Sequence, residues 1–385
     1  MESPMTGLIN LPSISVVSSF SVEDAICFEL KILASSMACP HCGQSTKELH
    51  QIRPILVRDL PVFGQPAYLK IPRRNFYCRH CQKYVTERLE FLDWRRPYTK
   101  RYEANIYQRV LQQNVAQVSR EEGLTWAQVE GIFKSVNNYV KTNWQPAERL
   151  GMDEVSKKKG HQNFVTVISD LERGCLIEAI DSHKQKEIIE FLKKQPESVR
   201  DCVKEVSVDM WGGFPKVIEE VFPNAAIVID RFHVMKLVNG QLNKIRRLAG
   251  VKPAGSRYLL LKNQADLTSI QKEQLALILK HSACLSIAYE MKEEFREIYE
   301  TSKTVAEGRS RMEKWLESAE LFYAKTARTI RQHLVGICNY FMNRTTSGVM
   351  EGINNKIKLI MRNGYGFHNF DNLRSRLLGC FSSSG

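Results

Sequence analysis

Four cysteines constrain this chain more than any other residues. Cys39-Pro-His-Cys42 and Cys78-Arg-His-Cys81 each place two thiols on one tight turn. Two such turns brought together supply the four sulfur ligands of a closed, tetrahedral zinc site. Thirty-five residues lie between the pairs, more than the usual spacing. Within that gap the segment ILVRDLPVFGQPAYLKIPRRNFYC alternates apolar and polar positions around a Pro/Gly turn, as a hairpin does. A hairpin would bring the pairs together. His41 and His80 are alternative ligands, though the symmetric four-cysteine set is simpler; the competing reading is four unrelated thiols. A ribbon with so little core around it draws its folding energy from the metal.

Ten cysteines in 385 residues are too few for a disulfide scaffold. Two CxxC pairs in a reducing compartment point to metal rather than disulfides. Cys175, Cys202, Cys284, Cys338 and Cys380 have no partner in sequence and read as small hydrophobes. No stretch approaches eighteen apolar residues, and the N-terminus lacks a basic leader, so neither a membrane span nor a signal peptide is expected. The expected setting is intracellular. The 55 Lys and Arg exceed the 42 Asp and Glu by 13. Such an excess calls for a polyanionic partner, nucleic acid before membrane.

A chain of this length holds two to four folded units. Residues 1–100 read as short strands and turns. From Tyr102 to Val140 apolar residues recur at helical spacing, broken at Gly123, and Pro146 closes that region. A different rhythm follows: GMDEVS, HQNFVTVISD and GCLIEAID are three strand candidates. After them come helical KQKEIIEFLKK, strand VKEVSVD, a helix near FPKVIEEV and strand AAIVID. Three antiparallel strands followed by alternating helix and strand predict an α/β domain with a mixed sheet. From Arg231 to about Asn343 the pattern is almost wholly helical.

Two stretches read as DNA-binding. Between Lys70 and Arg101 there are ten basic and three acidic residues, interleaved with aromatics including Phe76, Trp94 and Tyr98. That mixture suits phosphate contact and stacking, with Arg73, Arg74, Arg95, Arg96, Lys100 and Arg101 as candidates. The alternative is a solvated face over a small aromatic core. Next, QNVAQVSREEGLTWAQVEGIFKSV fits a helix-turn-helix: Val118, Leu124, Val129 and Ile132 fall where two helices pack, Gly123 sits at the turn, and Thr125 caps the second helix. That helix would present Trp126, Gln128 and Lys134 to a major groove.

Three acids occupy places that strand ends would bring together: Asp153 on the first strand of the α/β domain, Asp209 at the end of VKEVSV, and Glu351 in helical GVMEGINNKIKLIM. Carboxylates suit Mg²⁺ or Mn²⁺, and phosphoryl transfer to a hydroxyl is served by two such ions. Spacing alone is weak evidence, because 42 acids offer many triples.

The runs MDEVSKKKGHQNFVTVISD, VSVDMWGGFPKVIEEVFPNAAIVIDRFHVMKLVN and TTSGVMEGINNKIKLIMRNGYGFHNFDNLRSRLL resemble the DDE transposases of bacterial insertion sequences, closest to the ISL3 family. The resemblance covers essentially the whole chain, ribbon and helix-turn-helix included. It implies Asp153, Asp209 and Glu351 as the catalytic, Mg²⁺- or Mn²⁺-binding acids. It also implies an α/β ribonuclease-H-like core with an α-helical insertion, for which the 141 residues between Asp209 and Glu351 leave room. Lys358 lies seven residues after Glu351, on the same helix face, where the family often carries a basic residue that touches DNA. Lys356 and Arg362 are further basic candidates there. Asp230-Arg-Phe-His233 resembles the family's (C/D)xxH signature; a structural role or one behind the metal ligands is favoured for Asp230 and His233. Trp315 resembles an aromatic that related enzymes stack on a flipped base, but core packing is the favoured reading. Asp170 and Asp181 read as turn caps, Glu154 as facing away from Asp153, and His161 and His183 as surface or turn residues.

The expected organisation is a zinc-ribbon domain over 1–100, a helix-turn-helix over 101–147, the first part of the core over 148–235, the insertion over 236–343, and the Glu-bearing part of the core over 344–385. The resemblance implies an enzyme that binds terminal inverted repeats, hydrolyses a phosphodiester at the element end and joins the 3′-hydroxyl to target DNA. Its partners are double-stranded DNA and a second copy, in a homodimer or larger assembly, with one structural Zn²⁺ and two catalytic ions. The rival readings are a non-cleaving DNA-binding regulator and a structure-selective nuclease of the same fold.

Overall fold

A computed structural model describes residues 4–137, 144–158, 162–210, 213–252, 254–345, 348–367 and 369–382; His161 lies outside them. The chain divides into two compact units, residues 1–141 with 363–365, and residues 142–362 with 366–385.

The first unit opens with a short helix, α1 (Pro4–Ile9), and strands β1 (Ile14–Val22) and β2 (Ala25–Ile32). Two very short strands, β3 (Met37–Ala38) and β4 (Ser45–Thr46), flank the first cysteine pair, and β5 (Leu49–Val62), β6 (Gln65–Cys78) and β7 (Lys83–Thr86) follow. Five of these form a sheet ordered β1-β2-β6-β5, with β7 also pairing with β6. The hairpin expected upstream of Cys78 is β5–β6. It is longer than short strands and turns would give, fourteen residues on each side, because no turn signal interrupts the alternation before Phe63-Gly64. Those two residues take φ of 50° and 81°, and Val62 pairs with Gln65, as in a two-residue primed turn whose second position favours glycine. One face of the hairpin buries Val57, Leu69 and Ile71.

Three helices complete this unit: α2 (Lys100–Gln112), α3 (Val115–Glu122) and α4 (Trp126–Asn137). They pack through Tyr102, Ile106, Val110, Val118, Val129 and Ile132. Gly123 ends α3 in the left-handed region, as a sharp turn requires. The periodic pattern concealed a second break, at Gln113–Asn114. There the Asn114 side chain accepts a 2.8 Å hydrogen bond from the Gln117 N–H and caps α3. Thr125 and Gln128 cap α4 reciprocally: Thr125 N–H donates to Gln128 Oε1 at 2.8 Å, and Gln128 N–H to Thr125 Oγ1 at 3.3 Å.

The second unit is built on a mixed sheet. Strands β8 (Arg149–Lys158), β9 (Gln162–Asp170) and β10 (Cys175–Ile180) are antiparallel neighbours. After α5 (Gln185–Leu192) and α6 (Glu197–Arg200) comes β11 (Glu205–Val208); after α7 (Phe214–Val221) comes β12 (Ala226–Ile229). The order is β10-β9-β8-β11-β12, with β11 parallel to both β8 and β12. This is the ribonuclease-H-like arrangement that the resemblance implies. All four residues of β11 are buried, as expected of a central parallel strand.

The helical insertion runs α8 (Arg231–Leu248), α9 (Ser256–Leu261), α10 (Ser269–Lys280), α11 (Ala283–Thr301), α12 (Val305–Gln332, bent at Tyr323), α13 (Leu334–Cys338) and α14 (Tyr340–Asn343). Its core answers the question about Trp315. That ring is 4% exposed, packs on Phe295 and Tyr323, and donates its indole N–H to Met291 O at 2.8 Å. The indole is satisfied and enclosed, and it packs within this core. Thr345 then donates to buried Glu205 at 2.8 Å, and Asn343 also bonds that carboxylate. The returning chain is thereby fastened to the start of β11, just before α15 (Gly348–Asn363) and α16 (Phe370–Ser382).

The sheet is covered on both faces. Leu150, Met152, Val206, Val208 and Val228 pack with Ile188, Val217 and Val234. Val155, Val165 and Val167 pack with Met350, Ile353, Ile357 and Leu377. Strand alternation therefore puts Gly151, Asp153 and Val155 on the α15 face. At Gly151 a Cβ would stand 2.5 Å from Met350 Sδ and 2.9 Å from Leu171 Cδ2, so the glycine lets α15 approach β8 closely. Gly151→Val should overpack this contact and cost about 1–3 kcal/mol. Urea unfolding checks it; undiminished stability would contradict the close packing.

Candidate active site

Strand register accounts for the meeting of the acids. On β8 and β11, Ser207 is level with Gly151; on β11 and β12, Val208 is level with Ile229. Continued by one or two residues, both registers set Asp153, Asp209 and Asp230 level across three adjacent parallel strands. Ligands of open α/β sheets gather at such carboxyl ends. Glu351 arrives from the first turn of α15, whose buried stripe of Met350, Ile353, Ile357 and Ile360 fixes the rotation of that helix. The exposed face then carries Glu351 and Lys358.

A cavity of about 200 Å³ is lined by Asp153, Asp209, Asp230, His233, Glu351 and Lys358, together with Ser207, Phe232, Asn354 and Asn355. All the acids expected at the site share it, and so does the expected lysine. Glu154 does not line it. Burial raises the Glu154 carboxyl above its usual range, His183 opposes, and the charges of Asp209 and Asp153 add to the rise. Asp153 Oδ1 accepts a 2.7 Å bond from the Glu154 N–H, and Oδ2 accepts one of 2.6 Å from Asn354 Nδ2. Asp230 is buried and caps α8, accepting from the Phe232 N–H at 2.9 Å. His233 Nε2 stands 3.7 Å from its other oxygen.

Asp170 holds a turn by accepting from the Glu172 and Arg173 N–H groups, whereas Asp181 pairs with Lys157. Asn354 and Phe232 were missed from sequence. Asn354 lies one helical turn beyond Glu351 on the face of Lys358, a spacing that alone singles out no amide; nothing distinguished Phe232, 56% exposed at the edge of the cavity.

Among the described residues, the group of three or more His, Cys, Asp or Glu whose ligand atoms all lie within 4.8 Å is Cys39, Cys42, Cys78 and Cys81. Two sulfur pairs, Cys39–Cys81 and Cys42–Cys78, are 3.6 Å apart, close to the edge of about 3.8 Å that a tetrahedron with Zn–S near 2.3 Å requires. Burial acts to raise Cys39, yet the N–H groups of His41 and Cys42 and the nearby sulfurs bring it down to about 6. Cys81 is pushed up to about 12 by burial and by the thiols facing it. Four such sulfurs ionise together only around a cation. The set is that of a zinc ion. His41 and His80 are exposed and stand outside this cluster.

The basic candidates sort by partner. Arg74 pairs with Glu87, Arg96 with Glu103 and Arg101 with buried Asp59. Lys100 lies 3.5 Å from Asp93 and stays half exposed; Arg73 lies over the exposed Trp94 ring, 4.7 Å from its centroid. Arg95, Trp126, Gln128 and Lys134 are exposed, with the Gln128 side chain committed to its cap and Lys134 3.0 Å from Glu130. Lys356 donates to Cys380 O at 2.9 Å, while Lys358 and Arg362 are exposed.

Known proteins match every one of these parts. The family model for the ISL3 DDE transposases, described as a transposase, matches residues 150–377. A zinc finger of transposases IS204, IS1001, IS1096 and IS1165 matches 35–81, and the helix-turn-helix domain of the ISL3 transposases matches 87–137. A transposase for insertion sequence element IS1001 from Bordetella parapertussis is 29% identical over 356 residues, 88% of this chain and 87% of its own. Transposases for IS1557 from two strains of Mycobacterium tuberculosis are 28% identical over 254 residues, 57% of this chain and 56% of theirs. Ribbon, helix-turn-helix and mixed α/β domain together are those of a DDE transposase of an insertion sequence. The chain belongs to the ISL3 family.

Among the described residues no helix is long and apolar enough to cross a membrane. The purified protein should carry one zinc per chain, and Cys78→Ser should release it and loosen the ribbon while the second unit keeps its unfolding transition. Elemental analysis with calorimetry checks both; a zinc-free protein with four freely reactive thiols would contradict the site.

Proposed function

We propose that this transposase cuts the ends of its element by metal-dependent phosphodiester hydrolysis and joins the freed 3′-hydroxyls to target DNA. The observation that carries the reading is the one cavity lined by Asp153, Asp209, Glu351 and Lys358. Water attacks the phosphorus at the element end and the strand leaves as a 3′-hydroxyl. That hydroxyl attacks a target phosphodiester and displaces a target 3′-hydroxyl, so one bond forms for each that breaks.

The residues present fit a divalent cation: the donors are hard oxygens from Asp153, Asp209 and Glu351, and Asn354 Oδ1 is buried without a hydrogen-bond partner beside them. Held by these residues, Mg²⁺ or Mn²⁺ would supply activation of the attacking oxygen and offset charge on the leaving one. Two such ions would serve the attacking and leaving oxygens of an in-line displacement. Asp153, Asp209 and Glu351 hold the charge. Lys358, seven residues after Glu351, meets the DNA phosphate. Asp230 fixes the start of α8 and with it His233, behind the ligands.

Recognition of the terminal repeats falls to the first unit, read as ribbon over 1–100 and helix-turn-helix over 101–147. The core is read as 148–235 with 344–385, and the insertion as 236–343. Trp126 and Lys134 on α4, with Arg73, Arg95 and Lys100 beside the ribbon, are the contacts proposed. Arg74, Arg96 and Arg101 serve the fold first. Two ends need two active sites, so a dimer or larger assembly acts, in the compartment that holds the DNA.

Asp153→Asn, Asp209→Asn and Glu351→Gln should each leave end binding nearly intact and lower cleavage and joining on the order of a thousandfold or more, since each removes a metal-holding charge with little change of shape. Asp230→Asn should lose roughly ten- to a hundredfold, as residues behind a metal ligand do. Labelled end DNA in Mg²⁺ and Mn²⁺, beside a binding assay, reads all four. An active triad variant, or loss of binding in every one, would sink the assignment. Trp126→Ala should weaken binding to end DNA by roughly tenfold, about 1–3 kcal/mol per lost base contact, and spare binding to random duplex. Equal loss on both would remove α4 from recognition.

A further inference from the structure

Asn354 has two polar atoms in unlike circumstances. Nδ2 donates to Asp153 Oδ2 at 2.6 Å, while Oδ1 is buried and accepts nothing. The amide cannot be turned to relieve this, because an ionised carboxylate only accepts and so requires the NH₂ end. An orphaned buried carbonyl costs about 1–3 kcal/mol unless something fills it. The residue lines the cavity with Asp153, Asp209 and Glu351. Its backbone sits three residues after Glu351 on α15, beside the strand that Gly151 lets that helix approach. A helix dedicated to presenting one acid has no need to spend the next turn on an amide. A helix that also completes a metal shell does.

We propose that Asn354 is a positioning residue that orients Asp153 through Nδ2 and supplies Oδ1 as a neutral oxygen to the coordination shell of the divalent cation. The inference rests on the proposed metal-dependent function. Amide carbonyls are accepted ligands of hard cations. A neutral ligand adds coordination without adding charge to a site where three carboxylates already repel one another.

The test uses the full-length protein and Mn²⁺ alone, titrated and read by electron paramagnetic resonance, with Asp153→Asn as reference. Asn354→Leu keeps the branched heavy-atom skeleton and removes both polar atoms. It should weaken Mn²⁺ binding ten- to a hundredfold, leave end-DNA binding within about twofold, and lower cleavage in parallel. Asn354→Asp keeps an oxygen at that place and should bind Mn²⁺ roughly tenfold more tightly than Asn354→Leu. A packing role would leave the Mn²⁺ affinity of Asn354→Leu at the wild-type level and gain nothing from a restored oxygen. Wild-type affinity in Asn354→Leu, or no gain in Asn354→Asp over it, overturns the proposal; should Asn354→Leu not fold, Asn354→Ala takes its place in both comparisons. Mn²⁺ binding in the wild type that Asp153→Asn does not weaken overturns the metal-dependent function itself, and the proposal with it.

Discussion

The packing of α15 on β8 is the constraint that the rest of the second unit serves. Glu351 is separated from Asp209 by 141 residues, and only a helix pressed onto the first strand returns it to the sheet. Gly151 leaves room for Met350, Val155 and Val167 meet Ile353 and Ile357, and Asn354 ties the helix to Asp153. Apolar burial holds the helix down and the hydrogen bond sets its register. Glu205, buried at the start of β11, fastens Asn343 and Thr345 just before α15 begins, so the insertion can be long without loosening the acid it delivers.

Electrostatics explains why the site is built from three elements. Acids level on neighbouring strands repel in a half-buried cavity, and that repulsion opposes folding until a cation offsets it. The same logic governs the ribbon. There thiols whose sulfurs lie 3.6 Å apart have little core around them, and the ion supplies what burial cannot. The two donor sets differ in hardness, soft sulfur that suits a closed structural ion and hard oxygen that suits an ion open to substrate.

Elements set by local pattern were legible in the sequence: the β5–β6 hairpin, the five strands of the mixed sheet, the glycine turn of the helix-turn-helix and the two cysteine turns. What stayed hidden depended on partners distant in sequence. Arg74, Arg96 and Arg101 looked like a DNA-facing stripe, but Glu87, Glu103 and Asp59 take them up once strands and α2 fold together. Trp315 lies on an apolar stripe with Met312, Ala319 and Tyr323, yet a stripe does not say what covers it. The acids were named through resemblance, because among 42 carboxylates no spacing singles out three. Asn354 needed the structure, since an amide announces itself only by what it fails to bond.

The central claim is that Asp153, Asp209 and Glu351 together hold the ions that cut DNA. Crystals of the protein with its end DNA, soaked in Mn²⁺ and measured at the manganese edge, test it most directly. Anomalous peaks should fall between these three side chains, with carboxylate oxygens about 2.0–2.3 Å away. Peaks centred instead on Asp230 and His233, or none in the cavity while the ribbon still holds zinc, would contradict it.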